Sequence, residues 1–254
     1  MRKVEQQSTH ADERGANGPS PIAPSQHGER EVSAALGDTS LRRDEQGLAL
    51  VGDGMVLRSD FSQLLPRIRK GRLSSELLVR AAKVRDCAEP WAIDATAGLG
   101  EDSFLLAAAG FRVSMYESDP TVAALARDAL DRAQANPDLA DIACRMELFE
   151  EDSIEAMSHL GDTPDVIYLD PMFPERRKSA AVKKKFQLIH HLEAPCQNEG
   201  ALLAAAISAG PRKVVVKRPA KGPHLAGVKP SHSLAGKAVR YDVIIPASIK
   251  VPLA

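Results

Sequence analysis

The chain has 254 residues, is 44% apolar and carries a net charge of −1. That is enough to bury a substantial core, and the total charge announces no nucleic-acid partner, although the basic residues are clustered. Three cysteines, Cys87, Cys144 and Cys196, stand far apart in no C-x-x-C pair, which argues against a disulfide framework or a zinc site and fits a reducing cytoplasm.

Residues 1–45 are rich in Gln, Ser, Gly, Pro and charge. Such a segment buries too little surface to offset the entropy of ordering, so a disordered tail is expected. It contains no apolar h-region, and no later stretch reaches the roughly 18 apolar residues of a membrane span. The expectation is a soluble, cytoplasmic protein. Residues 46–85 read as a small N-terminal region. GLALV and MVLRS flank Gly52-Asp53-Gly54 and predict a β-hairpin. The basic run Arg67–Arg72 (RIRKGR) then leads to SSELLVRAAKV. That stretch is a predicted helix with Ser74 or Ser75 as cap and apolar residues at 77, 78, 81, 82 and 84.

From residue 86 to 254 strands and helices alternate. WAIDAT, FRVSMYES, ACRMELFEED, DVIYLD and KVVVKRP read as strands. DSFLLAAA, PTVAALARDALDRA and KKFQLIHHL read as helices, the second with Pro120 in its first turn. KAVRYDVIIPA reads as a further strand, antiparallel to a segment around residues 231–235. The pattern predicts a Rossmann-like, doubly wound α/β fold with a mostly parallel sheet and an antiparallel strand near the C-terminus.

Two places carry chemistry. IDATAGLGEDS leaves the first of these strands at Asp94 and turns through Gly98 and Gly100 into a helix, and Glu117 ends the next strand. Glycines permit a sharp turn and the close approach of a ligand, and an acid one strand on can accept hydrogen bonds from an adenosine ribose. A tight strand–helix turn, a dinucleotide site and an S-adenosylmethionine site all share this pattern. Glu101 and Asp102 at the mouth of the helix would repel a pyrophosphate and suit a ligand bearing a sulfonium and an ammonium. Asp152 and Ser153, at the end of the third strand, are candidates near an adenine.

The second place is Asp170-Pro171-Met172-Phe173, at the end of DVIYLD, the strand expected beside IDAT. An exocyclic base nitrogen is a poor nucleophile because its lone pair is delocalised into the ring. A carboxylate such as Asp170, with a nearby carbonyl, can bind its N–H groups and aim the lone pair. Pro171 fixes φ, and Phe173 can stack on the base. Arg176, Arg177, Lys178, Lys183, Lys184 and Lys185 follow at once, and Lys217-Arg218 ends a neighbouring strand; as a rim they would bind phosphates. Pro195-Cys196 reads as a packed or idle cysteine. His190, His191 and Glu193 do not make a metal site, because adjacent helical residues point about 100° apart. No metal is expected.

On these residues the chain resembles the ribosomal RNA small subunit methyltransferase J family. The resemblance is carried by DATAGLGEDSF, by YLDPMFP followed by KSAAVKK, and by VVVKRP, between about residues 91 and 219. In the wider class of amino-methyltransferases the corner is usually Asp/Asn-Pro-Pro-Tyr/Phe; Met172 departs from that and fits this family. The resemblance implies a class I methyltransferase that uses S-adenosylmethionine to methylate the exocyclic N2 of a guanosine in small-subunit (16S) rRNA, with the rRNA or the small subunit as partner. By resemblance the cofactor contacts fall on Glu101, Asp102, Glu117, Ser118, Asp152, Ser153 and Asp170. Amino-methylation of adenine N6 in DNA or RNA, and a non-catalytic RNA-binding role in ribosome assembly, are the rival readings.

Overall fold

The structure, a computed structural model, describes residues 39–52, 54–171 and 198–248. Several residues singled out in the sequence lie outside the described residues. They are Met172 and Phe173, the expected phosphate-binding cations Arg176, Arg177, Lys178, Lys183, Lys184 and Lys185, and His190, His191, Glu193 and Cys196. The stretch KKFQLIHHL, expected as a helix, lies outside them as well.

A seven-stranded sheet organises the chain. Its strands are β4 (Trp91–Asp94), β5 (Arg112–Tyr116), β6 (Met146–Phe149), β7 (Val166–Leu169), β8 (Lys213–Pro219), β9 (His232–Ala235) and β10 (Val239–Ile244). Their order is β6-β5-β4-β7-β8-β10-β9. Neighbours from β6 to β8 pair in parallel, while β10 runs antiparallel to both β8 and β9. The expected neighbour relation holds: Asp94 of β4 pairs with Tyr168 of β7 on one side and Met115 of β5 on the other.

Because both faces are covered, the central strands are apolar runs rather than alternating ones. One face turns Val113, Met115, Tyr168, Val215 and Tyr241 into a core with α2 (Leu77–Ala82), α3 (Glu101–Ala108) and α4 (Pro120–Gln134). The other turns Ile93, Ile167, Leu169, Val214 and Val216 against α6 (Ser153–Ser158) and α7 (Glu199–Ser208). Two further short helices, α1 (Leu65–Ile68) and α5 (Ala140–Ala143), complete the set described. The longest helix, α4, starts as its sequence dictates. The Asp119 carboxylate accepts from the N–H groups of Thr121 and Val122 at 2.8 and 2.9 Å, and Pro120 occupies the first turn. Sequence reading passed over α6 and α7. Asp152 caps the first, and GALLAAAIS in the second is apolar almost all round, so it lacks the periodicity that marks a helix.

The N-terminal part begins one strand earlier than composition suggests. β1 (Ser40–Asp44, SLRRD) joins β2 (Gly47–Gly52) and β3 (Met55–Leu57) in an antiparallel sheet, with Gly52 opposite Met55 at the expected hairpin. Its charged, mostly exposed residues suit an edge strand and carry no apolar alternation to betray it. Nor do Ser74 and Ser75 cap a helix. Their hydroxyls donate back to the carbonyls of Gly71 and Arg72, and α2 starts after Glu76 without a side-chain cap.

This region is fastened to the larger sheet. Leu50 and Leu57 pack on Leu125 of α4, and the Phe61 ring stacks on Phe104 of α3 at 5.0 Å between centroids. Buried Asp128 of α4 accepts from the Leu48 N–H at 3.0 Å and pairs with Arg43 and Arg132. Ser59 Oγ donates to the Leu99 carbonyl at 2.9 Å, tying the segment to the glycine turn.

Candidate active site

The carboxyl ends of β4, β5, β7 and β8 lie side by side, and each delivers a polar side chain. Two residues past the pairing of Asp94 with Met115 and Tyr168 come Thr96, Glu117 and Asp170, level across the sheet. Chain direction and register alone bring these groups together, where open α/β sheets bind ligands.

Asp94 is 1% exposed. Its carboxylate accepts from Ser103 Oγ at 2.5 Å and from the Thr96 N–H at 3.1 Å, so it braces the turn between β4 and α3. Burial, with the charge of Asp102 added, pushes its pKa up to about 7 against the opposing Ser103 bond. Gly98 and Gly100 both adopt positive φ, 53° and 81°. At Gly100 the positive φ and the packing inside the protein both favour glycine. A Cβ there would stand 2.7 Å from Met115 Cε and 3.1 Å from Phe61 Cζ.

Glu117 is nearly buried. Its two oxygens accept from the backbone N–H groups of Gly98 and Asp119, each at 2.9 Å. Burial still raises its pKa, because those two bonds only partly offset desolvation. Each oxygen keeps a lone pair, which is what two vicinal ribose hydroxyls require. Ser118 beside it is exposed. Asp152 is exposed too and works as a cap, accepting from the N–H groups of Ile154 and Glu155; Ser153 opens α6.

Asp170 is held from two sides. Its N–H donates to Thr96 Oγ1 at 2.7 Å, and its Oδ2 accepts from Lys217 Nζ at 2.8 Å. The same ammonium donates to Asp102 Oδ2 at 2.8 Å, and the Tyr168 hydroxyl donates to that oxygen at 2.6 Å. Burial pushes the Asp170 carboxyl above its ordinary range although Lys217 pulls it down, and Asp102 adds to the rise. Lys217 is itself driven upward, its two acidic partners outweighing its burial. Pro171 is buried behind Asp170.

Two sequence expectations are corrected here, and Asp102 proves to share its Oδ2 with the Lys217 ammonium and the Tyr168 hydroxyl. Lys217 is not part of a phosphate rim, since its ammonium turns into the acid cluster. Arg218 is 1% exposed and faces the opposite side of the sheet, where its guanidinium donates to the Pro223 carbonyl at 2.9 Å and approaches Glu199. A buried guanidinium cannot meet a nucleic-acid backbone. The rest of the expected rim, Arg176, Arg177, Lys178, Lys183, Lys184 and Lys185, falls outside the described residues. Reading passed over Thr96, Tyr168 and Ser103, because a hydroxyl inside an apolar stretch gives no signal of what it touches.

The acid surplus fits a cationic cofactor. Asp94, Asp102 and Asp170 converge with Lys217 as the cation bonded directly to two of them, and Glu101 opens α3 exposed beside them. A pyrophosphate would be repelled here, whereas a ligand with a sulfonium and an ammonium is favoured. Among the described residues, no three His, Cys, Asp or Glu side chains converge as a metal-ligand group, and no helix is long and apolar enough to cross a membrane.

Comparison with known proteins agrees with this geometry. Residues 35–246 match the family model described as "Putative SAM-dependent methyltransferase". The ribosomal RNA small subunit methyltransferase J of Neisseria meningitidis serogroup C is 43% identical over 206 residues, 80% of this chain and 82% of that protein. Its counterpart in Stutzerimonas stutzeri is 43% identical over 223 residues, 87% of this chain and 85% of that one. Among solved structures, a SAM-dependent methyltransferase from Neisseria gonorrhoeae superposes with a TM-score of 0.68 at 35% identity, covering 85% of this chain and 86% of the other. A doubly wound sheet, a buried acid one strand beyond a glycine turn, and relatives matched over four-fifths of the chain lead to one conclusion. The chain belongs to the ribosomal RNA small subunit methyltransferase J family and is an S-adenosylmethionine-dependent methyltransferase.

Proposed function

We propose that the enzyme methylates the exocyclic N2 of a guanosine in small-subunit rRNA, with Asp170 as the acid that orients the amine. The observation that carries this reading is the state of Asp170. Its backbone is pinned to Thr96 and one carboxylate oxygen is taken by Lys217. Oδ1 has no hydrogen-bond partner among the described residues. A fixed carboxylate with one oxygen open is suited to accept an amine N–H and turn the nitrogen lone pair out of conjugation.

Bound S-adenosylmethionine supplies an electrophilic methyl on a sulfonium. Glu117 would hold its ribose, and Asp94, Gly98 and Glu101 would line its path. Asp170 would accept the proton that the amine sheds on methylation, directly or through water. Phe173 would stack on the base, and Arg176, Arg177, Lys178, Lys183, Lys184 and Lys185 would bind phosphates. The exposed cations Arg69, Lys70 and Arg72 would join them. Their segment lies near the site, because its neighbour Arg67, paired with Glu76, feels the charge of Asp102.

The test is transfer of labelled methyl from S-adenosylmethionine to small subunits that lack the modification, with naked rRNA and DNA in parallel and the product nucleosides identified by mass. N2-methylguanosine in rRNA is the expected product. N6-methyladenosine, or label in DNA alone, would keep amino-methylation and discard the substrate.

A further inference from the structure

We propose that Lys217 is the positioning residue that keeps Asp170 open and correctly turned for the amine, and so belongs to the catalytic apparatus rather than to the RNA-binding surface. The proposal rests on the reading of Asp170 given above. Lys217 sits on β8 opposite Tyr241 of β10, and its Nζ spans two carboxylates from different elements: Asp102 at the start of α3 and Asp170 at the end of β7, each at 2.8 Å. The Tyr168 hydroxyl, donating to the same oxygen of Asp102, closes the group.

The bridge has two consequences for the amine. First, it occupies Oδ2 of Asp170, leaving Oδ1 as the acceptor and giving the carboxylate one working orientation. Second, it supplies the positive charge that an acid-rich corner needs. Among the described residues, the charged and titratable groups that act on Asp170 are Lys217 and, from the other face of the sheet, Arg218 of β8, Asp102 of α3, Asp94 of β4, Tyr168 of its own strand and Tyr241 of β10. Of the two cations, Lys217 makes the direct bond, while Arg218 turns to the other face of the sheet. Without Lys217, burial and the charge of Asp102 act on Asp170 unopposed by a bonded cation. The carboxyl then takes up a proton at higher pH. A protonated Asp170 presents an O–H where the amine needs an acceptor.

Lys217→Met keeps most of the stem and removes the charge, and Lys217→Arg keeps the charge. Turnover is followed from about pH 6 to pH 9 at saturating S-adenosylmethionine and small subunit, so that kcat reports the bound complex. For Lys217→Met we expect kcat to fall roughly 100-fold near pH 7 and its acid limb to move up by about one unit, so that the deficit shrinks as pH rises. Cofactor affinity should stay within about three-fold, the salt dependence of rRNA binding should not change, and Lys217→Arg should recover most of the rate.

Two results would overturn the proposal. A shallower salt slope with an unmoved acid limb would return Lys217 to the phosphate surface. A loss uniform in pH, accompanied by a lower melting temperature and not recovered by Lys217→Arg, would make it scaffold only. Asp170→Asn, assayed alongside, separates the proposal from the reading beneath it. That variant should be inactive at every pH. If it turns over normally, Asp170 is not the orienting acid and the role of Lys217 falls with it. If Asp170→Asn is dead and Lys217→Met retains the wild-type rate and profile, the role of Lys217 alone is wrong.

Discussion

Lys217 and Arg218 are neighbours on one strand and end in opposite kinds of surroundings. Strand alternation sends Lys217 to the face of α3, where one ammonium meets Asp102 and Asp170 and both Asp170 and nearby Asp94 have raised pKa values. Arg218 goes to the other face, beside its register partner Arg240. There Asp242 is ringed by donors: Arg240 Nε and Nη2 at 2.9 and 3.0 Å, Ser233 Oγ at 2.6 Å and His224 Nδ1 at 3.0 Å. Arg240 also donates to the carbonyls of Pro219, Ala220, Gly222 and Pro223. Burial would raise the pKa of Asp242, but these bonds outweigh it and hold the pKa below the usual range. One cluster is satisfied and clamps the turn after β8. The other is short of positive charge and so receptive to a cationic ligand. A deficit of compensation marks the site, and completeness marks the scaffold.

Breaking the satisfied cluster should have the larger effect on stability. Arg240→Met leaves Asp242 buried with Ser233 and His224 and takes the side-chain donor from the carbonyls of Ala220 and Gly222, which should destabilise the fold by about 3 kcal/mol or more. Denaturant unfolding measures this directly, and a loss under about 1 kcal/mol would mean that the clamp is redundant.

The deficient cluster should show itself in pH dependence. With Asp94 raised to about 7, the native state binds a proton that the unfolded chain releases near its ordinary carboxylate pKa. The contribution of this group is therefore complete at low pH and is lost as pH rises through the window from about 4 to 7, by about 1.4 kcal/mol per pH unit at most. Asp94→Asn, which keeps an acceptor and cannot ionise, should flatten the fall in melting temperature across that window. An unchanged slope would place the raised titration elsewhere.

A smaller effect is expected from the exposed cations that neither cluster absorbs. Replacing Arg69, Lys70 and Arg72 with Ala should weaken rRNA binding about ten-fold at moderate salt and make its salt slope shallower, with S-adenosylmethionine affinity intact. Replacing the inward Arg218 should not change that slope.

The strands, their neighbours and the two chemical corners were legible in the sequence because they rest on local patterns: apolar runs, a glycine turn, an acid locked against proline. What escaped depends on which face a side chain takes and whom it meets there. KVVVKRP reads as a strand ending in two cations, and nothing local says that one turns to Asp102 and the other to Glu199. A further reason for Gly100 was hidden in the same way, because Met115 and Phe61 reach it from 15 and 39 residues away in sequence. SLRRD was missed because an edge strand of charged residues carries neither period.

The role proposed for Asp170 is to orient the amine, not to hold the RNA. Its most direct test is Asp170→Ala, with rRNA affinity and methyl transfer measured on the same preparation. Binding is expected within about three-fold of wild type, and turnover reduced by roughly 1,000-fold or more. Equal loss of both, or of neither, would contradict it.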